Sequence, residues 1–302
     1  MTITRSYINS TLLPTAYELF IDFNTFSDLW HPIYRQNSSD MAIEIVQEMR
    51  GLPAAQMKLD GGPIASADFG DSYKSNYINT YYGISFEISR GAVRDNQYKK
   101  QFPQHVKQMR KSMTEVKNVN AMRLFNNGFN AKSTGSDLQP LFSTQHPNVQ
   151  GPLANTFTNN VQFSEKALED AVTIITSQWR TNSGHLGFYK PKSVLVPAQR
   201  QFDAIRVLQS DYQSNSANNA VNALKTGGFM PKGHLVNPYL SNPYNWFVLT
   251  DYEEYGFNYF LNEPLEFDIS SDNRTYNTVC SCIERYVFGY TNWRGVFGAR
   301  GY

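Results

Sequence analysis

The stretch that decides the fold is DNQYKKQFPQHVKQMRKSMTEVKNVNAMRLFNNGFNAK, residues 95–132. Its apolar residues recur at steps of three and four, the spacing that places side chains on one stripe of an α-helix. Gly128 follows the last apolar position, Phe125, where a helix stop is expected. The sequence therefore predicts a helix over residues 97–127, roughly 37 Å long if about 25 residues are helical.

The apolar stripe of this helix is narrow, closer to a coiled-coil seam than to the wide face of a helix sunk in a core. We expect one side of the helix to pack on a partner layer and the rest to stay open. The predicted packing residues are Phe102, Val106, Met109, Met113 and Val116.

The same stretch is strongly basic, with eight Lys or Arg and two Asp or Glu in a chain whose net charge is +1. One interpretation is a solvated helix face; the other is a face that meets a polyanion or an acidic neighbouring subunit. The candidate residues for DNA-facing or inter-subunit contact are Lys99, Lys100, Lys107, Arg110, Lys111 and Lys117.

At 302 residues the chain can bury a sizeable core in one large domain or two. A net charge near zero gives no general case for nucleic-acid or membrane binding. No run of eighteen apolar residues predicts a membrane span. The only cysteines, Cys280 and Cys282, point to the same side if they lie on a strand, an arrangement that rarely forms a disulfide.

The first forty residues carry apolar groups without periodicity, Trp30 among them, which predicts an arm that is tied down by docking on another surface. Residues 41–90 contain many turn signals around a strand at 84–88, which predicts an extended hairpin with little core of its own.

The middle of the chain alternates helices and short strands. Ser164 is the expected N-cap of a helix ending at Trp179. A second helix, 198–208, is predicted to turn Phe202, Ile205 and Leu208 inward, and long strand-like runs follow from 265 to 287.

Motifs of catalysis are missing from the sequence. It has no nucleophile elbow, no phosphate-binding loop, no dinucleotide fingerprint and no Cys or His pairs at metal spacing. Ser143 and His146 make a poor nucleophile and base, while Arg294 next to Trp293 predicts a local stacking contact. We therefore predict no catalytic, cofactor or metal site, and keep an enzyme of unknown chemistry only as an alternative.

The order of features in the chain resembles the major capsid proteins of tailed phages, which have the Hong Kong 97-type (Johnson) fold, and more closely the Mu-type major head subunit family. The residues that carry this resemblance lie mostly between Leu141 and the end of the chain. They are Leu141-Phe142-Ser143, His146-Pro147, Ser193–Pro197, Val221-Asn222, Asn237–Leu240, Trp246-Phe247, Arg285, Gly289 and Trp293-Arg294-Gly295.

The resemblance implies an α+β fold with four parts. They are an N-terminal arm (1–40), an extended E-loop hairpin (41–90), a P-domain (91–132 and 263–302) built on a long spine helix and long strands, and a mixed α/β A-domain (133–262).

The resemblance also implies a structural function: a head subunit that self-assembles into pentamers and hexamers of an icosahedral shell around double-stranded DNA. The expected partners are other copies of the chain, packaged DNA without sequence specificity, and portal, scaffolding or decoration proteins, with no membrane. Its expected location is the virion, with assembly in the host cytoplasm. The alternative within this fold is the shell of an encapsulin-like cellular nanocompartment.

Overall fold

The computed structural model describes residues 28–48, 51–58, 60–62, 64–66, 73–94, 102–212, 221–252 and 255–302. The strands are β1 (Arg35–Ser38), β2 (Ile43–Gln47), β3 (Lys74–Ile78), β4 (Thr80–Ile88), β5 (Pro191–Val196), β6 (His234–Val236), β7 (Trp246–Thr250), β8 (Phe257–Ser271), β9 (Thr278–Tyr290) and β10 (Val296–Ala299). The helices are α1 (Arg90–Arg94), α2 (Phe102–Asn127), α3 (Glu165–Ser177), α4 (Gln201–Gln209) and α5 (Ala223–Thr226).

The long sheet has the strand order β1-β8-β9-β4. Its two central strands, of 15 and 13 residues, run antiparallel over roughly 45 Å. The register between them shifts on either side of Glu263, next to Pro264. A proline cannot donate to the ladder, so it is tolerated at such an irregularity.

The short sheet has the order β10-β7-β5-β6 and forms the main core with α3. The hydroxyl of Ser164 accepts a hydrogen bond from the backbone of Ala167, so the predicted N-cap is confirmed. The prediction for Phe202 is wrong, because this side chain is 66% exposed and Ala204 is the buried residue of α4. Phe202 lies about half a turn from Ala204 and so points outward. The other two predicted positions are half-buried, and Leu208, one turn after Ala204, packs against the main core.

Helix α2 packs against two different partners along its length. Its first half lies on the long sheet, where Phe102, Val106, Met109 and Met113 are buried against Phe267, Ile269, Cys280 and Cys282. In its second half the buried face includes Ala121, Met122 and Phe125, which belong to the main core.

The prediction that Val116 belongs to the packing stripe is wrong, since its side chain is 38% exposed. The buried face rotates after Met113 towards Thr114 and Asn118, because the main core approaches the second half of the helix from another side. The prediction assumed that the spacing of the first half continues along the same face, and this placed Val116 on a side of the helix that is exposed.

The chain entering β1 packs on its own molecule. Trp30 and Tyr34 are buried, with the Trp30 ring 4.4 Å from Tyr259 and the Tyr34 ring 4.8 Å from Phe288. Trp30 therefore docks within its own chain and not on a neighbouring subunit, since β8 and β9 supply the aromatic surface. Residues 1–27 of the predicted arm lie outside the described part of the chain.

Strands β2 and β3 form an antiparallel pair apart from both sheets; these strands with the chain between them are called the flap. The following strand β4 pairs along its whole length with β9 in the long sheet. The closing strand β10 pairs with β7 in the short sheet. The predicted division placed β4 in the E-loop and β10 in the P-domain, so both strands join a different layer from the one expected.

Candidate assembly surfaces and a buried charged junction

The exposed side of α2 carries part of the predicted basic face. Lys107 and Lys111 are exposed and Arg110 is half-buried. Lys111 lies 3.7 Å from Glu115, one turn further along. Such an exposed pair contributes little to stability. Lys99 and Lys100 lie outside the described residues.

Lys117 does not belong to this face. Its ammonium forms an ion pair with the buried carboxylate of Glu284 on β9. It also lies 5.2 Å from the ring centroid of Tyr286 and 5.5 Å from that of Tyr259, within cation–π range. The expectation that Lys117 faces DNA or another subunit is therefore wrong, because a carboxylate and an aromatic cluster inside the chain hold its charge.

The side of the long sheet that faces away from α2 is acidic. Phe267 and Ile269 point towards the helix, so the alternation along β8 turns Glu266 and Asp268 to the other side, where both are exposed. Glu87 and Glu263 share this face, the latter 3.6 Å from Arg285. Helix and sheet thus form a slab with lysines on one surface and carboxylates on the other.

The flap exposes apolar side chains that its own chain does not cover. Ile43 and Ile78 are cross-strand partners on its outer face, and both are exposed together with Ile45. Beyond the strands, Met57 is 87% exposed and Ile64 is also open. Large exposed apolar groups concentrated on one element are typical of an interaction surface.

The inner face of the flap rests on the C-terminal end of the long sheet. The Tyr77 hydroxyl lies 2.6 Å from the hydroxyl of Thr291, and Ser75 donates to the Thr291 carbonyl. Burial raises the pKa of Tyr77 to about 12. A Cβ on Gly289 would come within 2.3 Å of the Tyr77 ring, so this close approach requires glycine at 289.

A buried junction of charged groups lies where the flap meets the rest of the chain. Glu48, the residue after β2, accepts a 2.6 Å hydrogen bond from the Tyr252 hydroxyl and another from the Asn292 amide. The Asn292 oxygen accepts from the backbone and guanidinium of Arg294. Arg294 also donates to the carbonyl of Arg180. Four separate segments of the chain therefore meet at this junction.

The junction continues through Trp293. The guanidinium of Arg294 lies 4.4 Å from the Trp293 ring centroid, which confirms the predicted stacking contact. The ring of His146 stacks on the same indole at 4.4 Å and 11°. Its Nδ1 lies 2.6 Å from Asp137 and its Nε2 lies 3.1 Å from Asn155.

The orientation of Asn155 determines what His146 can do. The Asn155 amide nitrogen donates to the carbonyls of Leu141 and Val296, so its oxygen faces His146 and Nε2 carries a proton. Both ring nitrogens have partners, while the Ser143 hydroxyl donates to Gln139. His146 is therefore a structural residue and not a base for Ser143.

Among the described residues, no three His, Cys, Asp or Glu side chains come together as a metal site would need. None of the helices traced above has the length and apolarity needed to cross a bilayer. Both cysteines are free thiols buried beneath α2.

Comparisons with known proteins agree on one class. A family model described as phage capsid protein matches residues 73–299, more than half of the chain. No curated protein sequence matches it. Because the family match is to phage capsids, it favours a phage shell over the nanocompartment and enzyme alternatives.

Solved structures share the fold at low sequence identity. The virus-like particle of Pyrococcus furiosus superposes with a TM-score of 0.55 and 6% identity, covering 96% of this chain and 100% of that one. The procapsid of bacteriophage JBD30 gives 0.54 and 13%, covering 99% and 77%. The capsid of an empty GTA particle gives 0.57 and 8%, covering 91% and 90%. The chain belongs to the phage capsid protein family, and it is a structural subunit of the virion with the Hong Kong 97-type fold.

Proposed function

We propose that this capsid subunit is the head protein that assembles with copies of itself into pentamers and hexamers, closing an icosahedral shell around double-stranded DNA. Assembly takes place in the host cytoplasm, and portal, scaffolding and decoration proteins are further partners. The observation that carries the proposal is the flap, whose exposed Ile43, Ile45 and Ile78 require cover that the subunit does not provide. Another copy of the subunit provides that cover.

The proposed parts of the subunit follow the sequence expectation, with boundaries moved where the strand pairing requires it. The E-loop corresponds to the flap and ends near residue 79, because β4 belongs to the long sheet. The P-domain consists of α2 with the long sheet, and the A-domain of the short sheet with α3, α4 and α5, to which β10 is added. The arm is residues 1–40, of which 28–40 pack on the subunit itself.

The surface proposed to face DNA is the exposed side of α2 with Lys107, Arg110 and Lys111. Lysine and arginine side chains neutralise phosphates without reading bases, so the contact is independent of sequence and weakens with salt. The acidic side of the long sheet repels phosphates and therefore faces away from the genome.

Assembly of the purified chain tests the shell function directly. Sedimentation and electron microscopy are expected to show capsomers that convert to closed particles as the protein concentration rises, because association follows mass action. A monomer that persists at high concentration, with the flap intact by mass spectrometry, would contradict the proposal.

The DNA-facing surface is tested with capsomers of the double variant Lys107→Gln/Lys111→Gln. Loss of two phosphate contacts per subunit is expected to lower the slope of log affinity against log salt by about two for each subunit of the capsomer that touches the DNA. Lys166→Gln is the matched control, because Lys166 is an exposed lysine on α3 in another part of the chain. An unchanged slope in the double variant would place the DNA contact elsewhere.

A further inference from the structure

The flap carries the exposed apolar face proposed to meet a second copy of the chain, and it can present that face in one orientation only if its root is fixed. We propose that Glu48 is the positioning residue of the flap: its buried carboxylate holds the flap root on Asn292 and Arg294, and so sets the direction in which the flap meets a second copy of the chain. The inference rests on the proposed shell function.

The two flap strands are fixed on consecutive residues of the same segment. Strand β3 is held at Thr291 through Tyr77 and Ser75. The chain leaving β2 is held at Asn292 through Glu48, which is only 6% exposed. Two anchors side by side remove the freedom that a single contact would leave, because rotation about either one breaks the other.

The Asn292 side chain has one fixed orientation, with its amide nitrogen towards Glu48. Its oxygen is occupied by the backbone and guanidinium of Arg294, at 2.9 and 3.2 Å, so its amide nitrogen must face Glu48. The second oxygen of Glu48 is bound by the Tyr252 hydroxyl. Burial, followed by the charge of Glu48, raises the pKa of Tyr252 far above its ordinary value of 10, so this phenol keeps its proton and donates. Both partners of Glu48 are thus fixed donors, which a carboxylate satisfies and an amide does not.

The negative charge of Glu48 also serves Arg294. This arginine is 1% exposed, and its Nη2 has no hydrogen-bond partner among the described residues. A buried guanidinium with an unsatisfied nitrogen depends on a nearby anion. Glu48 is the carboxylate of this junction: Asn292 bridges it to Arg294, donating to Glu48 and accepting from the guanidinium. Because Glu48 lies on the flap side, its loss would remove the negative charge of the junction at the flap root.

The flap continues beyond Glu48 along the loop that Arg294 holds. The Leu52 carbonyl lies 3.2 Å from the His185 Nε2, in the loop whose first carbonyl, Arg180, accepts from Arg294. The hydrogen bonds of Glu48 and Arg294 therefore orient both the root of the flap and the loop that Leu52 contacts.

The test uses the full chain with Glu48→Gln, which keeps the shape and removes the charge. Hydrogen exchange measured by mass spectrometry is expected to become at least tenfold faster in residues 43–47 and 74–78, while exchange in β8 and β9 stays unchanged. The protein concentration needed for shells is expected to rise several-fold. Glu44→Gln is the matched control, because Glu44 lies on β2, just ahead of Glu48, and accepts a hydrogen bond from Ser39 and not from the junction.

The possible outcomes test the role of Glu48 and the shell function separately. Unchanged flap exchange in Glu48→Gln overturns the inference, and so does a loosened flap that assembles at the wild-type concentration. Failure of the wild-type chain to form shells counts against the proposed function. The hydrogen-exchange result then still tests whether Glu48 holds the flap root. If Glu48→Gln does not fold, Tyr252→Phe removes one donor only and must accelerate flap exchange several-fold for the inference to stand.

Discussion

The two thiols under α2 illustrate what burial does to a single side chain. Burial raises the pKa of Cys280 to about 12, with the charge of Asp268 adding to the effect. Burial also raises the pKa of Cys282 to about 11, although a backbone hydrogen bond and Arg110 oppose it. Since the thiolate is the reactive form, both cysteines are held in an inert state.

We expect neither thiol of the folded subunit to react with a disulfide reagent at pH 8 within minutes, and both to react at once in denaturant. Between pH 7 and 10 the native rate is expected to rise about tenfold per pH unit without a plateau, because the thiolate fraction grows until the pH reaches the raised pKa. Absorbance of the released thiol measures the rate of reaction in the native and in the denatured protein. Rapid native labelling at pH 8 would contradict the burial of Cys280 and Cys282 beneath the helix.

Contacts of single residues were predictable from the sequence only where the partners are close in the chain. The contact of Arg294 with Trp293 was predictable, because the two are adjacent in the chain. The role of Glu48 was not, since its partners Tyr252 and Asn292 lie 204 and 244 positions away. Lys117 counted as a surface charge for the same reason: its partner Glu284 is 167 positions distant.

At the scale of one element, α2 was predictable in existence and end point but not in its full packing. The described helix ends at Asn127, directly before Gly128, and residues 95–101 lie outside the described part of the chain. The stripe located the first half of the buried face. The second half depends on a core that approaches from another direction, and periodicity within the helix carries no information about that.

Substitutions three residues apart on α2 test this rotation of the buried face. Met113→Asp is expected to destabilise the subunit by at least about 3 kcal/mol, because it removes a packed side chain and buries a carboxylate among apolar groups. Val116→Asp is the matched control and is expected to cost under about 1 kcal/mol, since position 116 is open. Urea unfolding of dissociated subunits measures both. Equal losses would mean that Val116 is buried as well.

Over the whole molecule, the order of elements carried more information than any motif. An extended hairpin, a long helix, a mixed middle and a return in long strands suffice for the fold class, since few architectures place these elements in that order. The basic side of α2 was predicted from the sequence, but the acidic surface opposite it was not. Its position depends on α2 covering the side of β8 that carries Phe267 and Ile269, which turns Glu266 and Asp268 away from the helix, and only the packing of helix on sheet reveals this.

Removing the flap beyond its root separates folding from assembly at this scale. We expect a chain lacking residues 52–72, rejoined by a short Gly-Ser linker, to stay folded within about 1 kcal/mol, because the described residues there lie outside both hydrophobic clusters. Glu48 and Tyr73 line one small cavity, so a short linker can join the ends. Electron microscopy is expected to show capsomers without closed shells. A chain in which residues 52–72 are replaced by a Gly-Ser segment of the same length is the control for chain length. Closed shells from either chain would mean that other surfaces close the particle. An unfolded product would mean that the flap is part of the core.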